Sequence, residues 1–146
     1  MMQNFCGVAC VKMAIDQLKG SSSALEALIQ EGQSLGAYDE EKGWIHEGLL
    51  ALAKRHGLQG KRKSIGQNVN FIEEKIHHQY PVIVSVARHY LNPKKAMGIK
   101  GGHLILISGI SASGKWMIKD PYEPVTLEIQ PQELMQTFSG NMIWLW

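Results

Sequence analysis

The 146-residue sequence predicts an α+β fold, in which helices come first and antiparallel strands follow. Two observations predict it: apolar residues recur every three or four positions in the first half, and β-branched runs dominate after Pro81. Strands that follow one another without intervening helices indicate an antiparallel sheet rather than alternating βαβ units. We therefore expect a single domain over residues 1–146, with a helical half of about 1–80 and a β half of about 81–146.

Four amphipathic segments in the first half predict helices. They are residues 7–18 before Gly20, a segment through Leu25, Leu28 and Ile29 closed by Gly32 or Gly36, residues 45–53 before Gly57, and a segment through Ile72 and Ile76 up to Tyr80. Ser22 or Ser23 is expected to cap the second helix. Asn68 or Asn70 is expected to begin the fourth.

Five apolar runs after Pro81 predict strands. They cover residues 82–86, 103–110, 115–119, 125–129 and 143–146. Residues 111–114 are the predicted loop of a hairpin. Pro131 suits the first turn of a short helix that continues to Phe138.

Composition excludes several classes of function. A net charge of +2 is too small to indicate a nucleic-acid partner, and the run Lys61-Arg62-Lys63 is expected at a solvated loop or strand edge. No apolar stretch approaches the roughly 18 residues of a membrane span, so we expect a soluble chain whose localisation stays open. The chain has no zinc-ligand spacing, no His-Glu-x-x-His pattern and no phosphate loop, so we expect no metal or cofactor.

Cys6 lies at the start of the first predicted helix. Backbone N–H groups and the helix dipole at such a position favour the thiolate, which is the nucleophilic form of cysteine. A free cysteine is more often a small buried hydrophobe, so the thiol alone does not establish a site. Cys10, one turn further along among apolar residues, is expected to be a core residue.

Among the six histidines, His103 is the best placed to act as a base. It follows two glycines, which permit close approach, and it opens an apolar strand. Asp120 ends the next predicted strand, where an Asp-Pro pair is also a common turn signal. A symmetric hairpin loop pairs Ile110 with Lys115. The same register sets Ile105 opposite Asp120, and His103 and Asp120 then share a sheet face.

The remaining histidines are expected to be of less interest. Four fit helix ends or surfaces, and one follows a strand without an obvious partner: His46, His56, His77, His78 and, last, His89. Residues 36–44 and 90–101 are the predicted walls of a cleft, with plain surface loops as the alternative.

Three stretches, residues 3–13, 102–110 and 114–121, resemble the bacteriocin-processing cysteine peptidase family of the papain-like superfamily and its free-standing bacterial relatives. The resemblance implies a papain-like cysteine peptidase fold, whose helical part carries the cysteine and whose antiparallel sheet carries the histidine and aspartate. It implies that Cys6 is the nucleophile, His103 the general base and Asp120 the residue that orients the imidazole. Gln3 is the candidate for the oxyanion-stabilising glutamine, which the family usually places further upstream.

The expected activity is therefore a thiol hydrolase that cleaves a peptide or amide bond through an acyl-enzyme. Its expected partner is a peptide or protein substrate. Two alternatives stay open: an acyltransferase or transpeptidase that uses the same site, and a catalytically idle peptide-binding module of the same fold. The sequence does not indicate the cleavage specificity or the oligomeric state.

Overall fold

The computed structural model describes residues 5–39, 43–44 and 46–146. The helices are α1 Cys6–Lys19, α2 Leu25–Ser34, α3 His46–Arg55, α4 Val69–His77, α5 Pro93–Ala96 and α6 Pro131–Met135. The strands are β1 Tyr38–Asp39, β2 Gly43–Trp44, β3 Gly60–Ser64, β4 Val82–Val86, β5 His103–Ile110, β6 Trp116–Lys119, β7 Leu127–Ile129 and β8 Asn141–Leu145. The predicted α+β class is confirmed.

Six strands form one antiparallel sheet in the order β3-β8-β4-β5-β6-β7. On the central strand β5, Leu104 and Leu106 pack with α1, α2 and α3, whereas Ile105 and Ile107 pack with α4 and α6 on the opposite face. Side chains alternate between the faces of a strand, so an unbroken apolar run is what a strand covered on both faces requires. The sheet is therefore the middle layer between two groups of helices.

The helix boundaries agree with the sequence in most places and differ at the caps. Asn68 caps α4 as predicted, because its side chain accepts a hydrogen bond from Phe71 N at 3.1 Å. The predicted cap of α2 is wrong: its N-cap is Ala24, and Ser22 instead donates to Asp16 Oδ1 at 2.6 Å. The predicted start of the third helix, Ile45, lies outside the described residues.

The predicted division into a helical half and a β half is only approximate. Strand β3 lies in the first half and pairs with β8, while the short helices α5 and α6 lie in the second. Lys61, Arg62 and Lys63 are exposed on β3 at the edge of the sheet, as predicted for this basic run. Several ends in the second half differ from prediction. Helix α6 ends at Met135, β6 begins one residue later, β7 begins two residues later, and β8 begins two residues earlier and ends one residue earlier.

The β5–β6 hairpin differs from its predicted register near the turn and agrees with it near Asp120. Ile110 pairs with Trp116 rather than with Lys115, so the loop is one residue longer than predicted. A β-bulge at Ser108 then shifts the register back, and Leu106 pairs with Lys119. Continuing this register sets Asp120 beside Ile105, as predicted.

Candidate active site

Cys6 is the first residue of α1 and is buried, with 2% of its surface exposed. Its Sγ accepts a hydrogen bond from the backbone N–H of Leu104 at 3.4 Å. Ser85, which is opposite Leu104, turns its carbonyl away from β5 towards the N–H of Ser139. The N–H of Leu104 therefore points to the other side of β5, where β6 has already ended, and the thiol takes the position of the missing strand partner.

His103 is the first residue of β5 and is held by the two glycines that precede it. Both glycines have positive φ, and Gly102 N donates to Ser85 Oγ at 3.2 Å. A Cβ on Gly101 would lie 2.9 Å from Ser139 Cβ and 3.1 Å from Ser85 Oγ. Only glycine fits between these serines, and the close approach fixes where the strand, and with it His103, begins.

The structure brings the three sequence-predicted residues Cys6, His103 and Asp120 together. His103 Nε2 lies 3.0 Å from Asp120 Oδ1, and both side chains are buried. The imidazole also hydrogen bonds to the Cys6 side chain. Since Nε2 is engaged by Asp120, the ring presents Nδ1 to the thiol, and the imidazole lies between the sulfur and the carboxylate.

Asp120 accepts two further hydrogen bonds. Tyr122 N donates to Oδ1 at 2.9 Å, and the hydroxyl of Tyr90 donates to Oδ2 at 2.5 Å. Sequence reasoning placed residue 90 in a cleft wall but missed its contact with the carboxylate, because the segment between β4 and β5 has no periodicity that assigns a direction to its side chains.

Two tyrosine rings flank the imidazole of His103. The ring of Tyr122 stacks on it at 5.1 Å between centroids, with 7° between the planes. The ring of Tyr90 lies at 6.1 Å and 25°. Arg88 Cζ lies 4.7 Å from the centroid of Tyr122, a cation–π contact. These rings restrict rotation of the imidazole and limit the access of water to its bond with Asp120.

The electrostatics of the site favour a charged imidazole. Burial by itself lowers the pKa of His103, but its hydrogen bonds to Asp120 and Cys6 outweigh burial and raise the pKa to about 9. Burial raises the pKa of Asp120, but hydrogen bonds from His103, Tyr90 and Tyr122 have the larger combined effect and hold it below its ordinary value. At neutral pH the pair is therefore an imidazolium and a carboxylate.

The second cysteine behaves as the sequence predicts. Cys10 is fully buried among the apolar residues of α1, so its assignment to the core is confirmed. Burial, followed by the nearby Cys6 and Asp120, raises the pKa of the Cys10 thiol well above its ordinary value. A thiol of this kind is protonated and unreactive at neutral pH.

The other histidines lie outside this cluster. His77 and His78 end α4, and His89 is exposed, as expected. His56 is more than a surface residue, because its Nε2 lies 2.7 Å from Glu31 Oε1 and links α3 to α2. Burial lowers the pKa of His46.

A small cavity of about 180 Å³ is formed by residues that precede His103 in the chain. It is lined by Ala87, Arg88, His89, Ala96, Ile99, Gly101 and Gly102. These residues overlap the predicted cleft wall 90–101, whereas the other predicted wall, 36–44, lies partly outside the described residues, as does Gln3.

Within residues 5–39, 43–44 and 46–146, no group of three or more His, Cys, Asp or Glu side chains is arranged to hold a metal ion. The helices of this same part include none that is long and apolar enough to cross a membrane.

The chain matches a known peptidase family over nearly its whole length. The model of the family described as Peptidase_C39 like family matches residues 1–145. No curated protein sequence matches the chain.

Solved structures resemble it over nearly its whole length. The peptidase domain of Streptococcus ComA, a bifunctional ABC transporter involved in quorum sensing, has 19% identity and a TM-score of 0.69 over 99% of this chain and 93% of that one. A double glycine motif protease from an AMS/PCAT transporter, solved with the leader peptide, has 19% identity and a TM-score of 0.63 over 99% and 86%. A C39-like peptidase from Bacillus anthracis has 14% identity and a TM-score of 0.68 over 97% and 88%. At these identities the likeness establishes the fold, and the predicted papain-like peptidase fold is confirmed.

Proposed function

Because this chain belongs to the Peptidase_C39 like family, we propose that it is a cysteine peptidase and that Cys6, His103 and Asp120 are its catalytic residues. The observation that carries the proposal is the line of contacts from the thiol through the imidazole to the carboxylate, with 3.0 Å between His103 Nε2 and Asp120 Oδ1. A thiol, an imidazole and a carboxylate in this order supply the nucleophile, the base and the orienting group of a thiol hydrolase. We further propose that residues 1–146 act as a single peptidase domain.

The first step is attack of the Cys6 thiolate on the carbonyl carbon of the scissile bond. The N–H of Leu104, which donates to Sγ, favours the charged sulfur before attack. The backbone N–H of Cys6 lies in the first turn of α1, at the positive end of the helix dipole, and is the proposed donor to the oxyanion of the tetrahedral intermediate. Gln3 stays a prediction for the second donor.

The second step is departure of the amine. The His103 imidazolium transfers its proton to the leaving nitrogen, which leaves an acyl group on Cys6 and a neutral imidazole. That imidazole then removes a proton from water, whose oxygen attacks the acyl-enzyme and releases the carboxylic acid and the thiolate. Asp120 keeps the ring oriented through both steps, because its Oδ1 holds Nε2.

The proposed substrate is a peptide or a protein. Support comes from the similar double glycine motif protease, which was solved in complex with the leader peptide. The cavity lined in part by Gly101 and Gly102, the two residues that precede His103 in the chain, is the proposed place for a substrate side chain.

A labelling experiment tests the assignment of the nucleophile. Brief treatment with iodoacetamide at neutral pH, followed by mass spectrometry of the digested protein, is expected to find the label on Cys6 and not on Cys10. The physical reason is that burial keeps the Cys10 thiol protonated, whereas Cys6 has a hydrogen-bond donor for the thiolate and an imidazolium beside it. Preferential labelling of Cys10 contradicts the proposal.

Hydrolysis of a pool of synthetic peptides, followed by mass spectrometry, tests the activity. Cys6→Ala is expected to lower the rate by several orders of magnitude, and Cys10→Ala, which removes the other thiol of the same helix, is expected to retain most of it. Products joined to an added amine would identify an acyltransferase. Bound but uncut peptides, together with an unreactive Cys6, would identify an idle peptide-binding module.

A further inference from the structure

We propose that Tyr90 is a positioning residue of this site, whose hydroxyl fixes Asp120 so that one carboxylate oxygen faces His103. The inference deepens the proposed function and rests on it. The ring of Tyr90 lies beside His103, whereas its hydroxyl donates to Asp120, so the effect of the hydroxyl would reach the reaction through that carboxylate.

The hydrogen bonds of Asp120 divide between its two oxygens. Oδ1 receives His103 Nε2 and the N–H of Tyr122, and Oδ2 receives the hydroxyl of Tyr90. A carboxylate can rotate about the bond to its Cβ, and this rotation interchanges its two oxygens. Donors to one oxygen alone do not determine which of the two oxygens they hold. The donor on Oδ2 therefore determines which oxygen faces the imidazole.

Tyr90 is held independently of Asp120. Its side chain is buried and packs in the cluster that contains α4 and α6, and its N–H donates to Ala87 O at 3.1 Å. The segment that carries it is closed at its base by Thr137 O, which accepts from both Ala87 N and Gly101 N. The hydroxyl thus approaches the carboxylate from a fixed ring rather than from a mobile one.

The same bond supports the charge of Asp120. The carboxylate is almost fully buried, and a buried acceptor without a donor is costly, more so when it is charged. A phenylalanine would keep the ring beside His103 and leave Oδ2 without the donor that Tyr90 supplies. The hydroxyl, and not the ring, is therefore the group to be tested.

Other charged and titratable groups near Asp120 enter any pH profile of the site. They are His103 on β5, Cys6 and Cys10 on α1, Arg88 and Tyr90 from the segment before β5, and Tyr122 and Glu123 from the turn after β6. Tyr90→Phe leaves all of these except its own hydroxyl in place, so a change in the profile reports on the bond to Asp120.

The test is the pH dependence of Cys6 alkylation by iodoacetamide in Tyr90→Phe, with Tyr80→Phe as the matched control. Tyr80 lies away from the site, where it packs on His78 and Trp146. Loss of the donor raises the pKa of Asp120, so the acid limb of the alkylation profile is expected to move up by about one pH unit in Tyr90→Phe and to stay unchanged in the control. With a cleaved peptide, kcat is expected to fall about tenfold at an unchanged KM.

Two results would overturn the inference. One is an alkylation profile in Tyr90→Phe that coincides with that of the wild type. The other is a uniform loss at every pH with the same midpoint, which would mean that Tyr90 acts only through packing. If the wild type cleaves no peptide while the midpoint moves as expected, the peptidase proposal fails and the positioning role of Tyr90 stands.

Discussion

Substitutions of Asp120 can separate its two effects on His103, which are the orientation of the ring and the stabilisation of its positive charge. In Asp120→Asn the amide keeps an oxygen for His103 and for the N–H of Tyr122, and its NH₂ can donate to the hydroxyl of Tyr90. Asp120→Ala removes every one of these contacts. We expect kcat/KM to fall about tenfold in the asparagine variant and on the order of 100-fold or more in the alanine variant, measured on the same peptide.

The alkaline limb of the pH–rate profile tests the charge of Asp120 independently. The wild-type rate is expected to fall as the imidazolium loses its proton near the His103 pKa of about 9. In Asp120→Asn that limb should move to lower pH, because the negative charge that favours the imidazolium is gone. If both substitutions are equally harmless and the alkaline limb does not move, Asp120 is reduced to an ordinary turn residue.

How far individual residues can be predicted depends on whether they end a regular element. Cys6 and His103 each begin one, and Asp120 directly follows one, so periodicity placed all three at element ends, and the resemblance to the peptidase family implied their roles. Tyr90 lies in an irregular segment, and only tertiary contact shows where its hydroxyl points. The charge state of His103 likewise follows from a neighbour that is distant in sequence.

At the scale of elements, the β5–β6 hairpin shows that a correct pairing can follow from an incorrect turn. The loop is one residue longer than predicted, which would put Asp120 on the wrong sheet face. The bulge at Ser108 adds one residue to β5 and restores the face. Neither feature has a clear sequence signal, since residues 104–107 are uniformly apolar and do not show which later residue of β5 is left unpaired.

The close approach of Gly101 to Ser139 at the start of β5 can be tested by substitution. Gly101→Ala would force its new Cβ to within 2.9 Å of Ser139, whereas Gly98→Ala adds a Cβ that meets no atom of the described residues within 4 Å. Both glycines have positive φ, at 88° and 80°, so backbone strain is matched between the two variants. Urea unfolding is expected to show a loss in Gly101→Ala that exceeds the loss in Gly98→Ala by about 1–3 kcal/mol.

The variants Gly101→Ala and Gly98→Ala should also differ in activity. The displaced Gly101 moves the first residue of β5, so Gly101→Ala is expected to lower kcat/KM more than Gly98→Ala does. Equal activity and equal stability in the two variants would mean that Ser85 and Ser139 give way, and that the close approach does not position His103.

For the whole molecule, chain order and sheet order agree from β4 to β7, where the site lies, and differ at β8, which pairs between β3 and β4. Sequence patterns predicted helices before strands, and the comparison with known structures agrees with that class. They missed β3, because Lys61, Arg62 and Lys63 carry no apolar face and β3 is defined by its pairing with β8 at the other end of the chain. Such a pairing depends on contacts that no local window contains.

The stability of the whole molecule should depend on pH through the same buried pair. The pKa of His103 is raised to about 9, so its contribution is fully present below its unfolded value of 6.5 and is lost as pH rises through 9. The pKa of Asp120 is lowered, so its contribution is present above 3.8 and is lost on acidification. Between pH 6.5 and 9 the free energy of unfolding should fall by about 3 kcal/mol more in the wild type than in His103→Gln, measured by urea unfolding. Parallel profiles over this interval would show that the imidazole is not held in its charged form, because the remaining titratable groups are common to both proteins.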